Sequence, residues 1–149
     1  MSNDDASKKV KNFTKNAEKI ILAVLKNSIQ EVIIEAQRPL RDGGKMHVDT
    51  GFLRHSGTAS LNELPKGLIE GRERNEGEVG VLPEYNISDE SSPGSFIHDV
   101  LARMTANDTF YFGWTAHYAQ YRELYDGFLA SASKKWSKIV ENQIRRIIK

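Results

Sequence analysis

An apolar stripe at helical spacing runs through the first quarter of the chain and sets what the rest must do. Val10, Phe13, Ala17, Ile21, Val24, Leu25, Ser28, Val32 and Ala36 recur at three- and four-residue steps. That spacing predicts a helix from about Lys8 to Ala36 with one buried face. Ile20, Leu22, Ile29, Ile33 and Ile34 widen the stripe, so the helix is expected to bury more than one side between residues 20 and 34. Residues 1–7 read as a frayed polar terminus. Pro39 ends the helix, because its ring and missing N–H disfavour continuation. Glu31 and Glu35 sit one turn apart and repel mildly unless a positive group lies near. A second stripe, Phe128, Ala132, Trp136, Ile139, Val140, Ile144, Ile147 and Ile148, predicts a C-terminal helix over Phe128 to Ile148. Its late basic residues suit the helix's negative end.

Between the helices the pattern changes. Thr58 to Leu64, Lys66 to Gly71 and Glu78 to Leu82 read as short strands, and Thr109 to Trp114 (TFYFGW) as another. Alternation along the last places Phe110, Phe112 and Trp114 on one face and Tyr111 on the other. The prediction is an α+β domain: a small antiparallel sheet of about four strands packed against long N- and C-terminal helices. At 149 residues, with 39% hydrophobic and 28% charged content, one domain with one substantial core is expected. Pro83 to Asp108 contains the turn-rich run NISDESSPGS and reads as a mobile insertion, with a short helix over Phe96 to Met104. Tyr118 to Leu124 reads as a helical turn closed by Asp126-Gly127.

Composition narrows the chemistry. There is no cysteine, so disulfides, thiolate catalysis and cysteine metal sites are excluded. No run of 18 apolar residues is present, which removes a helical membrane span, and no apolar h-region marks a signal peptide. A cytosolic origin is the default expectation. The four histidines, His47, His55, His98 and His117, form no H-E-x-x-H and show no metal-site spacing. Asp49-Thr50-Gly51 resembles an aspartic-protease triplet but occurs once, and Arg54 nearby opposes a shared proton. No phosphate-binding loop and no nucleophile elbow is found. No cofactor is implied, and a structural part rather than an enzyme is expected.

Pro39 to Ser56 is non-periodic. Gly43-Gly44 reads as a flexible tip, and Asp49 or Thr50 as a cap for a turn through Phe52-Leu53-Arg54. Tyr118, Tyr121 and Tyr125 fall at steps of three and four beside Arg122 and Glu123. Such a stripe serves either as a partner surface or as packing against the chain's own C-terminal helix. The net charge is only +1, but Lys134 to Lys149 is basic and Glu76 to Asp108 acidic. With Lys8, Lys9, Lys11, Lys15 and Lys19, the basic end makes phosphate contact the alternative function, a DNA-binding accessory protein.

The order of two motifs adds a family. Within Met46 to Ser56 (MHVDTGFLRHS), Val48, Thr50, Gly51, Leu53, Arg54 and Ser56 match P-V-x-T-G-x-L-R-x-S, with His47 in place of the proline. Tyr118, Ala119, Tyr121 and Glu123 match Y-A-x-Y-x-E-x-G, but Tyr125 stands at the glycine position and the next glycine is Gly127. Helix, first motif, strands, second motif and helix in this order resemble the minor tail or tail-completion proteins of long-tailed double-stranded DNA bacteriophages. The resemblance implies a virion protein of the neck or upper tail, assembled in the host bacterial cytoplasm, that helps join tail to head. It implies a homo-oligomeric ring, with neck, connector and tail-tube proteins as partners and double-stranded DNA close by. In that frame Asp49, Thr50, Arg54 and Ser56 order a contact loop, Arg54 pairs with a carboxylate such as Glu123, and Tyr118, Tyr121, Glu123 and Tyr125 face a subunit interface.

Overall fold

A computed structural model describes residues 3–48, 51–64 and 93–148. The chain is an α+β domain in which, among the described residues, a two-stranded antiparallel sheet packs against long N- and C-terminal helices. α1 spans Asn3–Ala36, a single-turn 3-10 helix Leu40–Asp42, α2 Phe52–His55, β1 Gly57–Leu61, α3 Pro93–Arg103 and β2 Phe110–Trp114. α4 (Ala119–Asp126), α5 (Phe128–Ser133) and α6 (Trp136–Ile147) complete the order. The expected strands at 66–71 and 78–82 lie outside the described residues.

α1 starts five residues before the expected Lys8, so the described part of the N-terminus is helical rather than frayed. No apolar position marks this first turn, yet Asp4 and Asp5 fall where the helix dipole favours negative charge. The helix stops at Ala36, one residue after which Gln37 and Arg38 close the last turn and Pro39 turns the chain away. Within it, the expected widening is used only in part: of the added positions Ile29 and Ile33 are buried, while Ile20 and Ile34 are exposed. Ser28, Ile29, Ile33 and Ala36 are buried, while Phe13, Ile21 and Ile34 remain exposed.

The larger core cluster joins Ile29 and Ile33 of α1, Ala59 of β1, and Ile97, Val100, Leu101 and Met104 in and just after α3. Leu61, Phe110, Phe112 and Trp136 close its edges. Half of the segment read as a mobile insertion is therefore core. α3 supplies three of the seven buried residues of that cluster and Met104, just after it, a fourth, so 97–104 is anchored; residues 83–92 lie outside the described residues. The physical reason is the Ile97, Val100, Leu101, Met104 spacing, which gives α3 one continuous apolar face.

β1 and β2 pair in full register from Gly57 opposite Trp114 to Leu61 opposite Phe110. Asn62 then leaves the sheet at φ 66, a left-handed turn that Asn tolerates. Its amide donates to Asp108 Oδ1 at 2.9 Å and its carbonyl oxygen accepts from Thr109 N at 2.9 Å. Thr105 closes the clasp through N and Oγ1 on Asp108 Oδ2, at 2.7 and 2.9 Å. The Asn62 and Thr105 bonds hold the exposed Asp108 carboxyl below its ordinary range.

The C-terminal helix is broken where it was expected to be continuous. Lys134 and Lys135 form a tight turn between α5 and α6, with Lys135 N donating three residues back to Ala132 O at 3.0 Å. The break lets Phe128 and Ala132 face one way and Trp136 reach the larger cluster. No glycine or proline announces it.

α6 packs antiparallel on α1. Lys135 pairs with Glu35, and Gln143 Nε2 donates to Glu31 Oε2 at 2.6 Å. The anticipated Glu31–Glu35 repulsion is thus answered from the opposite helix, with Arg38 adding a 2.8 Å contact to Glu35. The Lys135 hydrogen bond, helped by Arg38, holds the Glu35 carboxyl below its usual value of 4.5. A folded-state pKa below the unfolded one gives stability that is present above about 4.5 and lost as pH falls through the folded value. Glu35→Gln is therefore expected to cost about 1 kcal/mol at neutral pH, since Lys135 is half exposed. The difference from the parent should shrink below pH 4.5 and vanish at lower pH, as followed by urea unfolding across pH.

A candidate interface where the two motifs meet

The chain between α1 and α2 folds back on itself. Pro39 and Met46 form a parallel bridge, with Leu40 N donating to Met46 O at 3.1 Å and Met46 N to Arg38 O at 3.2 Å. Gly43 sits at φ 85 and ends the 3-10 turn, and Gly44 N donates to Pro39 O at 2.9 Å. The pair expected to be a flexible tip is a pinned corner. Gly44 is pressed so closely on the Arg38 carbonyl that a Cβ there would overlap it. The corner delivers Met46, which has no exposed surface, into the second core cluster.

That cluster brings together the two motifs. Met46 and Leu53 come from the segment of the first, and Tyr118 and Ala119 from the second, with Ala116, Phe128 and Trp114 beside them. Trp114 stacks edge-on against Phe128 at 4.8 Å and against Phe112 at 4.9 Å, so the apolar face of β2 links both clusters. The expected side-chain alternation of β2 is what makes this possible.

First-motif polar residues work inside the chain. Ser56 is buried, its Oγ donates to Leu53 O at 2.7 Å, and its carbonyl accepts from Thr115 N and Oγ1 at 2.9 and 3.0 Å. Arg54 is 9% exposed, and its carbonyl accepts a long 3.4 Å bond from buried Gln37. Gly57 follows, where a Cβ would stand 2.7 Å from Gln37 Nε2. These contacts fix the loop's exit into β1, a loop-ordering role. Asp49 and Thr50 lie outside the described residues.

The second motif divides. Tyr118 precedes α4, partly buried against the Met46 cluster, with His117 edge-on at 5.2 Å. Tyr121 and Tyr125 point outward, 57% and 85% exposed, with Leu124 between them at 82%. Leu129, just past the corner, is also exposed. A tyrosine–leucine face of α4 is thus left open, and the stripe read from spacing is half packing and half surface. Sequence reasoning missed Leu124 and Leu129, although the i, i+3, i+4 relation of Tyr121, Leu124 and Tyr125 was visible.

Glu123 has a different occupation from pairing with arginine. Its two carboxylate oxygens accept from Leu129 N at 2.8 Å and Ala130 N at 2.9 Å. These are amides of the first turn of α5, which have no carbonyl within that helix to receive them. Gly127, at φ 62, makes the corner that brings α5 back to the carboxylate. The motif's glutamate and the glycine that follows it in this chain therefore form one device, a helix corner capped in front of the bend. Arg122 grips Asp126 with two bonds of 3.0 and 2.9 Å and stiffens α4 beside it. Glu123→Ala is expected to lower stability by about 1–2 kcal/mol, with Glu123→Gln recovering part of it, in chemical denaturation.

Among the described residues no group of three or more histidine, aspartate or glutamate side chains converges as a metal site, and no helix is long and apolar enough to cross a membrane. The chain matches no family model, no curated protein sequence and no solved structure.

Proposed function

We propose that the chain is a structural subunit of the neck or upper tail of a long-tailed double-stranded DNA phage, without catalytic activity, that completes the tail and helps join it to the head. The observation that carries this reading is the open face of Tyr121, Leu124 and Tyr125, set on a rigid corner built by both motifs. Tyrosine and leucine left uncovered on a stiff helix suit a protein partner, because they bury large area with little side-chain entropy to lose. In a ring such a face meets a different patch of the neighbouring subunit around the axis. Neighbours in this reading are further copies of the chain and the connector and tail-tube proteins of the particle.

Negative-stain electron microscopy of the purified protein, alone and with purified tails, tests the proposal. Rings, or density capping a tail end, are expected, and Tyr125→Asp should abolish them while leaving the fold intact. A protein that ignores tails at every concentration would overturn the reading.

A second reading rests on one observation. Antiparallel packing of α6 on α1 carries Arg145 and Arg146 towards the half of α1 that bears Lys8, Lys9, Lys11, Lys15 and Lys19. Arg145 and Arg146 thus stand at the base of the α1 stretch that carries these lysines, and together they form an extended footprint for DNA phosphates. Binding by this route must weaken steeply with salt and be insensitive to Tyr125→Asp.

A further inference from the structure

The lysines of α1 are not spread evenly round the helix. Lys11, Lys15 and Lys19 stand at successive steps of four, and Lys8 is three residues before Lys11. The four therefore share one face. All are exposed, and among the described residues none of them makes an ion pair. Lys9 differs, since it pairs with Asp5 at 3.4 Å and projects about 100° round the helix from Lys8. Like charges three and four residues apart repel along a helix. The other acids within a turn of the row are Asp4, four residues before Lys8, and Glu18, three after Lys15. The row stays net positive.

Lys26 continues the row seven residues past Lys19 and fixes its place in the fold. Its ammonium donates to the Ala102 carbonyl at 3.3 Å, and Gln30, one turn on, lies 3.1 Å from His98 Nε2. The row thus ends against α3, where exposed Arg103 follows Ala102 and exposed Asp99 is the nearby acid. Glu35, the partner of Lys135, is nine residues past Lys26, about two and a half turns. α6 therefore packs on the opposite side of α1 from the lysines. Phe13 is two residues from both Lys11 and Lys15, so it too is turned away from them.

We propose that this lysine face binds the phosphates of double-stranded DNA, without sequence preference. Resting on the DNA-binding reading, this deepens it: the row on the α3 side is the main track, with Arg145 and Arg146 at its base. From Lys8 to Lys19 the row is about 17 Å long, a length over which a duplex carries about ten phosphates. A lysine ammonium is a point charge on a flexible stem, so it reaches phosphate without a fixed register. No aromatic side chain stands in the row to stack on a base, which favours a duplex backbone over a single strand. A duplex is also stiff on this scale, as is an unbroken helix.

Fluorescence anisotropy with the full chain and a labelled duplex of about 30 base pairs tests this. The logarithm of affinity is expected to fall linearly with the logarithm of salt, equally for two unrelated sequences. Replacing Lys8, Lys11, Lys15 and Lys19 together by glutamine should lower the slope by about 3.6 and weaken binding at least about 100-fold at about 100 mM salt. Lys15→Gln alone should lower the slope by about 0.9. Lys9→Gln removes the same charge and should leave the slope unchanged. Glutamine matches lysine in helix propensity, so circular dichroism of every variant should match the parent. Equal slope changes for Lys9→Gln and Lys15→Gln, or tighter binding to a single strand, would overturn the proposal. A larger loss from Arg145→Gln with Arg146→Gln than from the four lysines would also overturn it, while leaving DNA binding to α6. Absence of salt-dependent binding would sink both readings of the lysines. That is also the result if residues 65–92, net acidic and outside the described residues, neutralise the row.

Discussion

Phe128→Ala is expected to lower the unfolding free energy by about 3–5 kcal/mol, the largest effect of any single substitution considered. Phe128 is 2% exposed, stacks on Trp114, and closes the cluster in which Met46 and Leu53 meet Ala116 and Tyr118. Its removal leaves a cavity beneath both motifs at once. Rigid neighbours on three sides, namely the pinned corner before Met46, the paired strands and the capped start of α5, limit how far that cavity can collapse. The cost should therefore fall at the upper end of the usual range, and Phe128→Leu should recover most of it. Urea unfolding with circular dichroism gives the magnitude. A loss below about 1 kcal/mol would mean that the two motifs do not share a core. Under the tail reading, Phe128→Ala should also weaken assembly, because α4 is presented by this cluster.

Gly44→Ala is expected to cost about 2–4 kcal/mol, through backbone displacement rather than lost burial. The new methyl would occupy the place of the Arg38 carbonyl. That carbonyl accepts from Met46 N, and Gly44 N itself donates to Pro39 O, so relieving the overlap breaks the bonds that form the corner. Gly43→Asn is the informative control. Gly43 needs a left-handed backbone, at φ 85, but nothing lies within 4 Å of the position a Cβ would take. Asparagine tolerates that conformation, so a cost under about 1 kcal/mol is expected. Equal costs at the two positions would refute the distinction between a conformational glycine and a contact glycine.

That pair shows where sequence reading reached its limit. Gly43-Gly44 is a turn signal either way, and the adjacent letters cannot say that one glycine is needed for its φ and the other for its neighbour. Tyr118, Tyr121 and Tyr125 present the same difficulty. Their spacing is helical, but α4 starts at Ala119, so Tyr118 stands before the helix and packs inward while the other two point out. Glu123 was legible as a motif residue and not as a cap, because its partners lie across a bend created by Gly127. Arg54 and Ser56 were legible as motif residues, but the contacts that enclose them come from Thr115, just after β2, and from Gln37, which are remote in sequence.

Local sequence signals determined the helix-flanked α+β architecture, the face of β2 that carries Phe110, Phe112 and Trp114, and the apolar side of α3 through periodicity, and the end of α1 through Pro39. These follow from local rules, since a repeat of 3.6 or 2 commits a segment to one face wherever it packs. Tertiary structure decided the rest: that 97–104 belongs to the core, that the C-terminal helix breaks at Lys134 and Lys135, and that the two motifs form one cluster. It also decided which of the apolar side chains of α1 and α4 remain uncovered. Burial is a relation between segments far apart in the chain, and a stripe looks the same in the letters whether its own fold covers it or leaves it for another molecule.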